Sequence, residues 1–243
     1  MFFEDARSLL FLGSFCLVLW MTIHKMVALL PNALPKAHSY QIIRWFDFQK
    51  VCKTGDLLLF VGGEKTSEIV RIWSNSPFTH VGFALKNKRN EVLIWHSDPS
   101  DQRVDLVNFE CHEGVQVNDL RAYLSTYKGL LYWKPLDLTS EQRKKIASLV
   151  PEERCYKFNK NNMDLLRSVQ GFSSFPLPPK ESTVDTYFCS EFVAQVLIKA
   201  NVIPLHFLPN QYHPEHFTRN MNEDPILSQL GLPLHQPLYL VLP

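Results

Sequence analysis

The strongest constraint on the fold is a pair of apolar runs, between residues 78 and 97, joined by a short polar segment. The runs "FTHVGFALK" and "EVLIWHS" are rich in β-branched and aromatic residues, and "NKRN" separates them. Strands favour such residues, and polar segments with asparagine favour turns. We therefore predict a β-hairpin that turns near residues 87–90. Because the strands of a hairpin are antiparallel, we also predict an antiparallel sheet.

The flanking segments alternate between strand and helix patterns. "TGDLLLFVGG" predicts a turn followed by a buried strand, and "GVQVNDLRAYLSTY" predicts a strand that leads into a helix with Leu120, Tyr123 and Leu124 on one face. Further patterns predict a strand at "GLLYWKPL", a helix at "LTSEQRKKIASLV" capped by Thr139 or Ser140, and a last strand at "PLYLVLP". The fold class that we predict is α+β, with an antiparallel sheet packed against helices.

The N-terminal segment differs from the rest of the chain. No charged residue occurs from Ser8 to Ile23, and the apolar character continues to Leu30 if His24 and Lys25 lie near a boundary. This length approaches the roughly 20 residues that a bilayer span needs. We predict an N-terminal hydrophobic helix that anchors the chain at 1–30, a linker at 31–53, and a globular domain at 54–243. A cleaved signal peptide and a buried core helix are the alternatives.

The distribution of basic residues orients this predicted anchor. Lys25, Lys36 and Arg44 follow the segment, whereas only Arg7 precedes it. The positive-inside rule then predicts a single-pass membrane protein with a cytoplasmic domain and the lipid bilayer as a partner.

The net charge and the number and spacing of the cysteines limit which other partners and metal sites we predict. The net charge of +1 provides no field to hold nucleic acid, so no nucleic-acid partner is predicted. Five widely spaced cysteines without a C-x-x-C pair indicate neither a disulfide framework nor a zinc ribbon. His206, His213 and His216 share a proline-rich segment but lack the spacing of a zinc site. We predict no metal and no cofactor, and the sequence does not determine the oligomeric state.

Cys189 has two interpretations. Val193, Val196 and Ala200 follow it at helical spacing, so the sulfur lies on the apolar face, as a packed core cysteine does. It also lies in the first turn of the predicted helix, where unpaired N–H groups stabilise a thiolate. A thiolate becomes an effective nucleophile only with a base nearby, and that base must come from elsewhere in the chain.

Two histidines are placed to supply the base. His80 opens the first strand of the hairpin and His96 closes the second, so their ends of the strands meet and the two become cross-strand neighbours. Each alone is explained as a histidine at the edge of the core. Together with Cys189 they form the nucleophile, base and orienter that thiol acyl chemistry requires.

Several segments, in this order, also carry a resemblance to a known family: "GDLLLF", "SPFTHVGFAL", "VLIWHS", "GVQVNDLRAYL", "LTSEQRKKI", "CYKFN" and "YFCSEFVAQVL". Over roughly residues 54 to 200, the chain resembles the permuted papain-like thiol hydrolases of the NlpC superfamily, the YaeF/YiiX-like amidases. The resemblance implies a permuted papain-like fold, in which the histidine-bearing strands precede the cysteine-bearing helix.

The same resemblance implies roles for the site residues. His80 matches the general base, Cys189 the nucleophile, and His96 the third polar residue, where many relatives have glutamate. The histidine at this position is a further resemblance, to the lecithin retinol acyltransferase group. Tyr187, Ser190 and Tyr156 are candidates for oxyanion or substrate binding, although core aromatics explain the two tyrosines equally well.

The function that follows is a membrane-anchored cysteine hydrolase or acyltransferase. It would act on an amide, ester or thioester of a lipid, lipidated or peptide-like substrate through an acyl-enzyme. Two alternatives stay open: a catalytically inactive member that binds lipid or protein at a membrane, and a scaffold protein that acts through its linker and tail.

Overall fold

The computed structural model describes residues 42–62, 71, 76–100, 102–153, 156–160, 186–205, 208–218 and 238–241. The predicted anchor at 1–30 lies outside these residues.

The described strands form one large mixed sheet and one short pair. The strands are β1 Ile42–Arg44, β2 Leu57–Gly62, β3 His80–Lys86, β4 Val92–Asp98, β5 Gly114–Asp119, β6 Gly129–Lys134, β7 Lys157–Phe158, β8 Thr186–Tyr187 and β9 Leu238–Val241. The large sheet has the order β1-β9-β6-β2-β3-β4-β5 and is antiparallel except for the pairing of β1 with β9, while β7 and β8 form a parallel pair.

The described helices lie between these strands in the chain. They are α1 Trp45–Val51, α2 Leu120–Thr126, α3 Ser140–Glu153 and α4 Cys189–Lys199, with 3-10 turns at Pro209–Gln211 and Pro214–Phe217. The predicted hairpin is confirmed as β3 and β4, which are paired from Lys86↔Val92 to Phe83↔Trp95.

Two capping side chains explain where α2 and α3 begin. The carboxylate of Asp119 accepts a hydrogen bond from the N–H of Ala122 at 2.7 Å. Thr139 and Gln142 form a reciprocal pair, in which each side chain accepts from the other's backbone N–H. Such caps satisfy N–H groups that have no partner within the helix. The predicted cap at Thr139 is therefore confirmed.

The sheet buries both of its faces. Helices α3 and α4 cover one face, where Val81, Phe83 and Trp95 lie in the core. Helices α1 and α2 cover the opposite face, where Phe60, Ala84 and Ile94 are buried. Alternate residues of a strand point to opposite faces, so each strand contributes to both cores. The predicted α+β class with an antiparallel sheet and packed helices is confirmed.

Residues 42–52, which the sequence placed in a linker, pack against the sheet. Trp45 and Phe48 of α1 are buried, and the rings of Phe48 and Trp133 lie edge to face with centroids 5.5 Å apart. Trp45 and Phe48 thus belong to the second core, whereas Phe46 between them is exposed.

The predicted transmembrane helix and single-pass membrane location are wrong on the evidence of the described helices. Within the part of the chain that the structure describes, no helix combines the length and apolarity needed to cross a bilayer. The longest of those helices, α3, has 14 residues and reaches only about 21 Å, against a hydrocarbon core of about 30 Å.

A buried carboxylate joins β2, β6 and α3. Asp56 accepts hydrogen bonds at 2.9 to 3.3 Å from the backbone N–H groups of Lys53 and Leu136, the indole of Trp133 and the guanidinium of Arg143. Asp56 is buried. A buried charge is tolerated only when it is paired and its remaining lone pairs are satisfied, and this one meets both conditions.

We expect Asp56→Ala to lower the free energy of unfolding by about 3 to 5 kcal/mol, because it leaves a partly buried cation and three N–H donors without their acceptor. Urea unfolding measures the change. Asp47→Ala is the matched control: it removes an exposed carboxylate that pairs with Arg44 at 2.9 Å, and should cost less than about 1 kcal/mol. Equal losses in the two variants would contradict the central role of Asp56.

Candidate active site

The candidate site lies where β3 and β4 separate. β4 pairs with β5 as far as Asp98↔Gly114, but its pairing with β3 ends at Phe83↔Trp95. The start of β3 is therefore not paired with β4. The backbone N–H of Val81, in this unpaired part of the strand, lies near enough to the Cys189 sulfur to lower the pKa of its thiol.

His80 and His96 are in direct contact. The distance from His80 Nε2 to His96 Nδ1 is 2.7 Å, and the two rings meet edge to face. Gly82, which lies between them, makes this approach possible: a Cβ at this position would be 2.8 Å from His96 Cβ and 3.0 Å from the Trp95 carbonyl oxygen. The predicted cross-strand contact of the histidines is confirmed.

A second hydrogen bond continues from His96 to the next strand. His96 Nε2 lies 2.8 Å from Oδ1 of Asn118, and Nδ2 of Asn118 donates to the carbonyl oxygen of Val104 at 3.0 Å. Both His96 and Asn118 are buried. Asn118 is not among the site residues predicted from the sequence. A pairing of β5 with β4 would have placed it, near the end of β5, beside His96.

Asp98 lies beside the two imidazoles. Its Oδ2 atom is 3.9 Å from His96 Nδ1 and 3.5 Å from the guanidinium of Arg103, which itself covers the ring of Tyr123. From the sequence alone, Asp98 and Asp101 are most simply explained as charged residues of a loop in contact with solvent. The structure buries Asp98 at the site, while Asp101 lies outside the described residues.

Both histidines are held neutral near pH 7. Burial, and then the neighbouring His96 ring, lowers the pKa of His80 to about 3, while the Asp98 carboxylate opposes the shift. Burial also lowers the pKa of His96, against the opposing effects of Asp98 and of the hydrogen bond with Asn118. A neutral imidazole has one nitrogen that can accept a proton.

Cys189 combines the two interpretations that the sequence left open. It begins α4 and packs against the first core, but it remains partly exposed. Burial raises the pKa of its thiol to about 11, while the N–H groups of Val81 and Ser190 act in the opposite direction. The sulfur is thus a packed side chain that also receives hydrogen-bond donors suited to a negative charge.

The sulfur and the imidazoles reach the site from opposite faces of the sheet. α4 packs on the face of Phe83, whose ring meets Phe192. The His96 ring meets Tyr123 of α2 on the other face, with centroids 5.1 Å apart. The link between them that the structure shows is at the start of β3, where Val81, whose N–H lowers the pKa of the Cys189 thiol, follows directly after His80 in the strand.

The other predicted site residues pack around the start of α4. The hydroxyl of Ser190 donates to the Tyr212 carbonyl oxygen at 2.7 Å, so only its backbone N–H faces the sulfur. The Tyr187 carbonyl oxygen accepts from Ser97 Oγ at 2.7 Å, and the rings of Tyr187 and Tyr156 pack with centroids 4.6 Å apart. These contacts fix the segment that leads into Cys189.

The proline-rich histidines form a separate cluster. The rings of His213 and His216 pack with centroids 3.7 Å apart, and the N–H of His213 donates to His216 Nδ1. His206 lies outside the described residues. Among the residues that the structure describes, no group of three or more histidine, cysteine, aspartate or glutamate side chains is arranged to hold a metal ion.

Comparison with known proteins gives a distant structural resemblance. No family model matches the chain, and no curated protein matches it in sequence. Among solved structures, the chain is similar to the metalloprotein YiiX from Escherichia coli O157:H7, with 14% identity, a TM-score of 0.45, and coverage of 77% of this chain and 88% of that one. Kinship with the lecithin retinol acyltransferase group finds no support in these comparisons.

We expect Gly82→Ala to separate the two imidazoles, because the added methyl group occupies the space of His96 Cβ. Overpacking of this kind costs about 1 to 3 kcal/mol. Urea unfolding measures the stability, and the ring-proton shifts of His80 and His96 report the contact. Ala84→Gly, on the same face of β3, is the control and should leave both ring signals in place.

The neutral histidine pair should also make the fold sensitive to acid. In the unfolded chain His80 binds a proton near its ordinary pKa of about 6.5, whereas in the folded protein it does so only near pH 3. The unfolded state then binds more protons between these values, so stability is lost as the pH falls from about 6.5 to about 3. His80→Gln should flatten this part of the pH profile of the free energy of unfolding, and an unchanged slope would contradict the shift.

Proposed function

We propose that this chain is a cysteine hydrolase that forms an acyl-enzyme on Cys189, with His80 as the general base and His96 as the residue that orients it. The observation that carries the proposal is the 2.7 Å contact between His80 and His96. Cys189, at the start of α4, lies near the N–H of Val81, the residue that follows His80. The order of the elements, with histidine-bearing strands before the cysteine-bearing helix, supports a permuted papain-like arrangement.

The first step begins from a neutral pair. With a thiol pKa of about 11 and an imidazole pKa of about 3, neither group is charged near pH 7. Proton transfer is therefore coupled to the attack: His80 takes the thiol proton as the sulfur forms a bond to the carbonyl carbon of an amide, ester or thioester. Active-site hydrogen bonds often become short only with substrate present, and the proposal requires that Cys189 rotate its sulfur toward the imidazole at that stage.

The start of α4 receives the negative charge that develops on the carbonyl oxygen. The N–H groups of Cys189 and Ser190 have no partner within the helix and lie at the sulfur. Donors fixed in this position stabilise a tetrahedral oxyanion without reorganisation during the reaction. The buried Asp98 carboxylate stabilises the imidazolium that forms at the same time, since it favours the charged form of both histidines.

The remaining steps return the site to its starting state. The imidazolium gives its proton to the leaving amine, alcohol or thiol as the bond to the carbonyl carbon breaks. A water molecule then attacks the thioester, His80 takes a proton from that water, and the thiol leaves with a proton as the carboxylic acid forms. An amine or hydroxyl in place of water gives acyl transfer to the acceptor. The acyl group belongs to a lipid, lipidated or peptide-like substrate.

The test uses p-nitrophenyl acetate and intact-mass analysis with peptide mapping. We expect a burst of nitrophenol and an acetyl adduct on the peptide that contains Cys189. Cys189→Ala abolishes both signals, and His80→Ala slows acylation by at least about 100-fold, because a general base contributes about 10² to 10⁴.

Cys111 provides the control for chance reactivity, since it is an exposed thiol to which the proposal gives no role. Cys111→Ala should leave the burst and the Cys189 adduct intact. An adduct confined to Cys111, or a burst that survives Cys189→Ala, would exclude the proposed enzyme.

A further inference from the structure

A single line of hydrogen bonds crosses three neighbouring strands at the site. It runs from the Val104 carbonyl oxygen to Asn118 on β5, then to His96 on β4 and His80 on β3, through distances of 3.0, 2.8 and 2.7 Å. We call these four residues the histidine relay. Their donor and acceptor chemistry leaves little freedom for where the protons lie.

The orientation of the Asn118 amide follows from its first partner. A carbonyl oxygen can only accept, so the Asn118 NH₂ group must face Val104. The Asn118 oxygen then faces His96 Nε2, and because this oxygen can only accept, Nε2 of His96 must carry a hydrogen. A neutral imidazole has one N–H, so Nδ1 of His96 is left as an acceptor.

The same argument applies to the imidazole ring of His80. His96 Nδ1 accepts, so His80 Nε2 must donate and carry the hydrogen of that ring. His80 Nδ1 is then unprotonated and available to take a proton. We propose that Asn118 is a positioning residue that fixes the tautomers of both histidines and so makes His80 Nδ1 the basic nitrogen of the site.

The tautomers inferred for the two histidines do not depend on the proposed function, but their effect on catalysis rests on it. Without an acceptor at residue 118, His96 can carry its hydrogen on Nδ1, which forces His80 Nε2 to accept and places the His80 hydrogen on Nδ1. That tautomer cannot take the Cys189 proton. In a Ser-His-Asp triad, the wrong histidine tautomer lowers kcat by about 10⁴.

Three variants separate positioning from packing. Asn118→Leu keeps a similar volume and removes the acceptor, whereas Asn118→Asp keeps an acceptor and adds a charge. Gln116→Leu is the matched control: Gln116 is also buried on β5, and it donates two hydrogen bonds to the carbonyl oxygens of Ser100 and His112 but none to His96.

The tautomers are read by two-bond ¹H–¹⁵N correlation in the full chain labelled with ¹⁵N-histidine, which distinguishes protonated from bare ring nitrogens. We expect Nε2–H with bare Nδ1 for both rings in the unmodified protein, in Gln116→Leu and in Asn118→Asp. Asn118→Leu should shift both rings toward Nδ1–H and slow acylation of Cys189 by at least about tenfold, while Gln116→Leu leaves acylation within about twofold.

The acid limb of the acylation rate supplies a second readout. Asn118→Asp should move this limb to higher pH, because a carboxylate next to His96 raises the pKa of that imidazole.

A ring with Nδ1–H at His80 or His96 in the unmodified protein, or ring spectra that do not change on Asn118→Leu, would overturn the inference. If the tautomers are as expected and Cys189 is never acylated, the relay stands and the proposed hydrolase fails. The spectrum of the unmodified protein tests the relay even if Asn118→Leu does not fold.

Discussion

The register of β3, β4 and β5 is the constraint on which the candidate site depends. The two steps of the histidine relay that join side chains, from Asn118 to His96 and from His96 to His80, each link diagonal neighbours on adjacent strands on the same face of the sheet. Because strand side chains alternate with a period of two, a slip of one residue would turn an imidazole to the other face. The alternating burial of Phe83 and Ala84 on opposite faces specifies this register, so core packing and site geometry share one cause.

The site places polar groups in a largely apolar setting and joins several of them by hydrogen bonds. Burial keeps both imidazoles neutral and the thiol protonated, so the resting site carries little charge apart from Asp98 and Arg103. The hydrogen bonds from Val104 through Asn118 and His96 to His80 hold these side chains in place, because a buried polar group that loses its partner is costly. The same principle operates at Asp56, where four donors surround one buried carboxylate and hold β2, β6 and α3 together.

Local patterns predicted much of this arrangement because their causes are local. The hairpin, the helix cap at Thr139 and the helix that begins at Cys189 depend on residues adjacent in the chain, and all three are present. The contact of His80 with His96 was predictable because a hairpin with a short turn has only one way to bring its outer ends together. Predictions that depended on long-range packing were weaker: the segment 42–52 looked like a linker, yet Trp45 and Phe48 complete a core whose other members lie far away in sequence.

The sequence by itself determined the strand and helix patterns, the order of the histidines before the cysteine, and the pairing of two imidazoles across a hairpin. Only the tertiary structure decided that β3 and β4 separate near the Cys189 sulfur, that Asp98 is buried beside the rings, and that Asn118 continues the hydrogen bonds to a third strand. The physical reason is that short-range patterns reflect backbone propensity and side-chain alternation, whereas these three features arise from residues that meet only after the sheet and α4 have packed together.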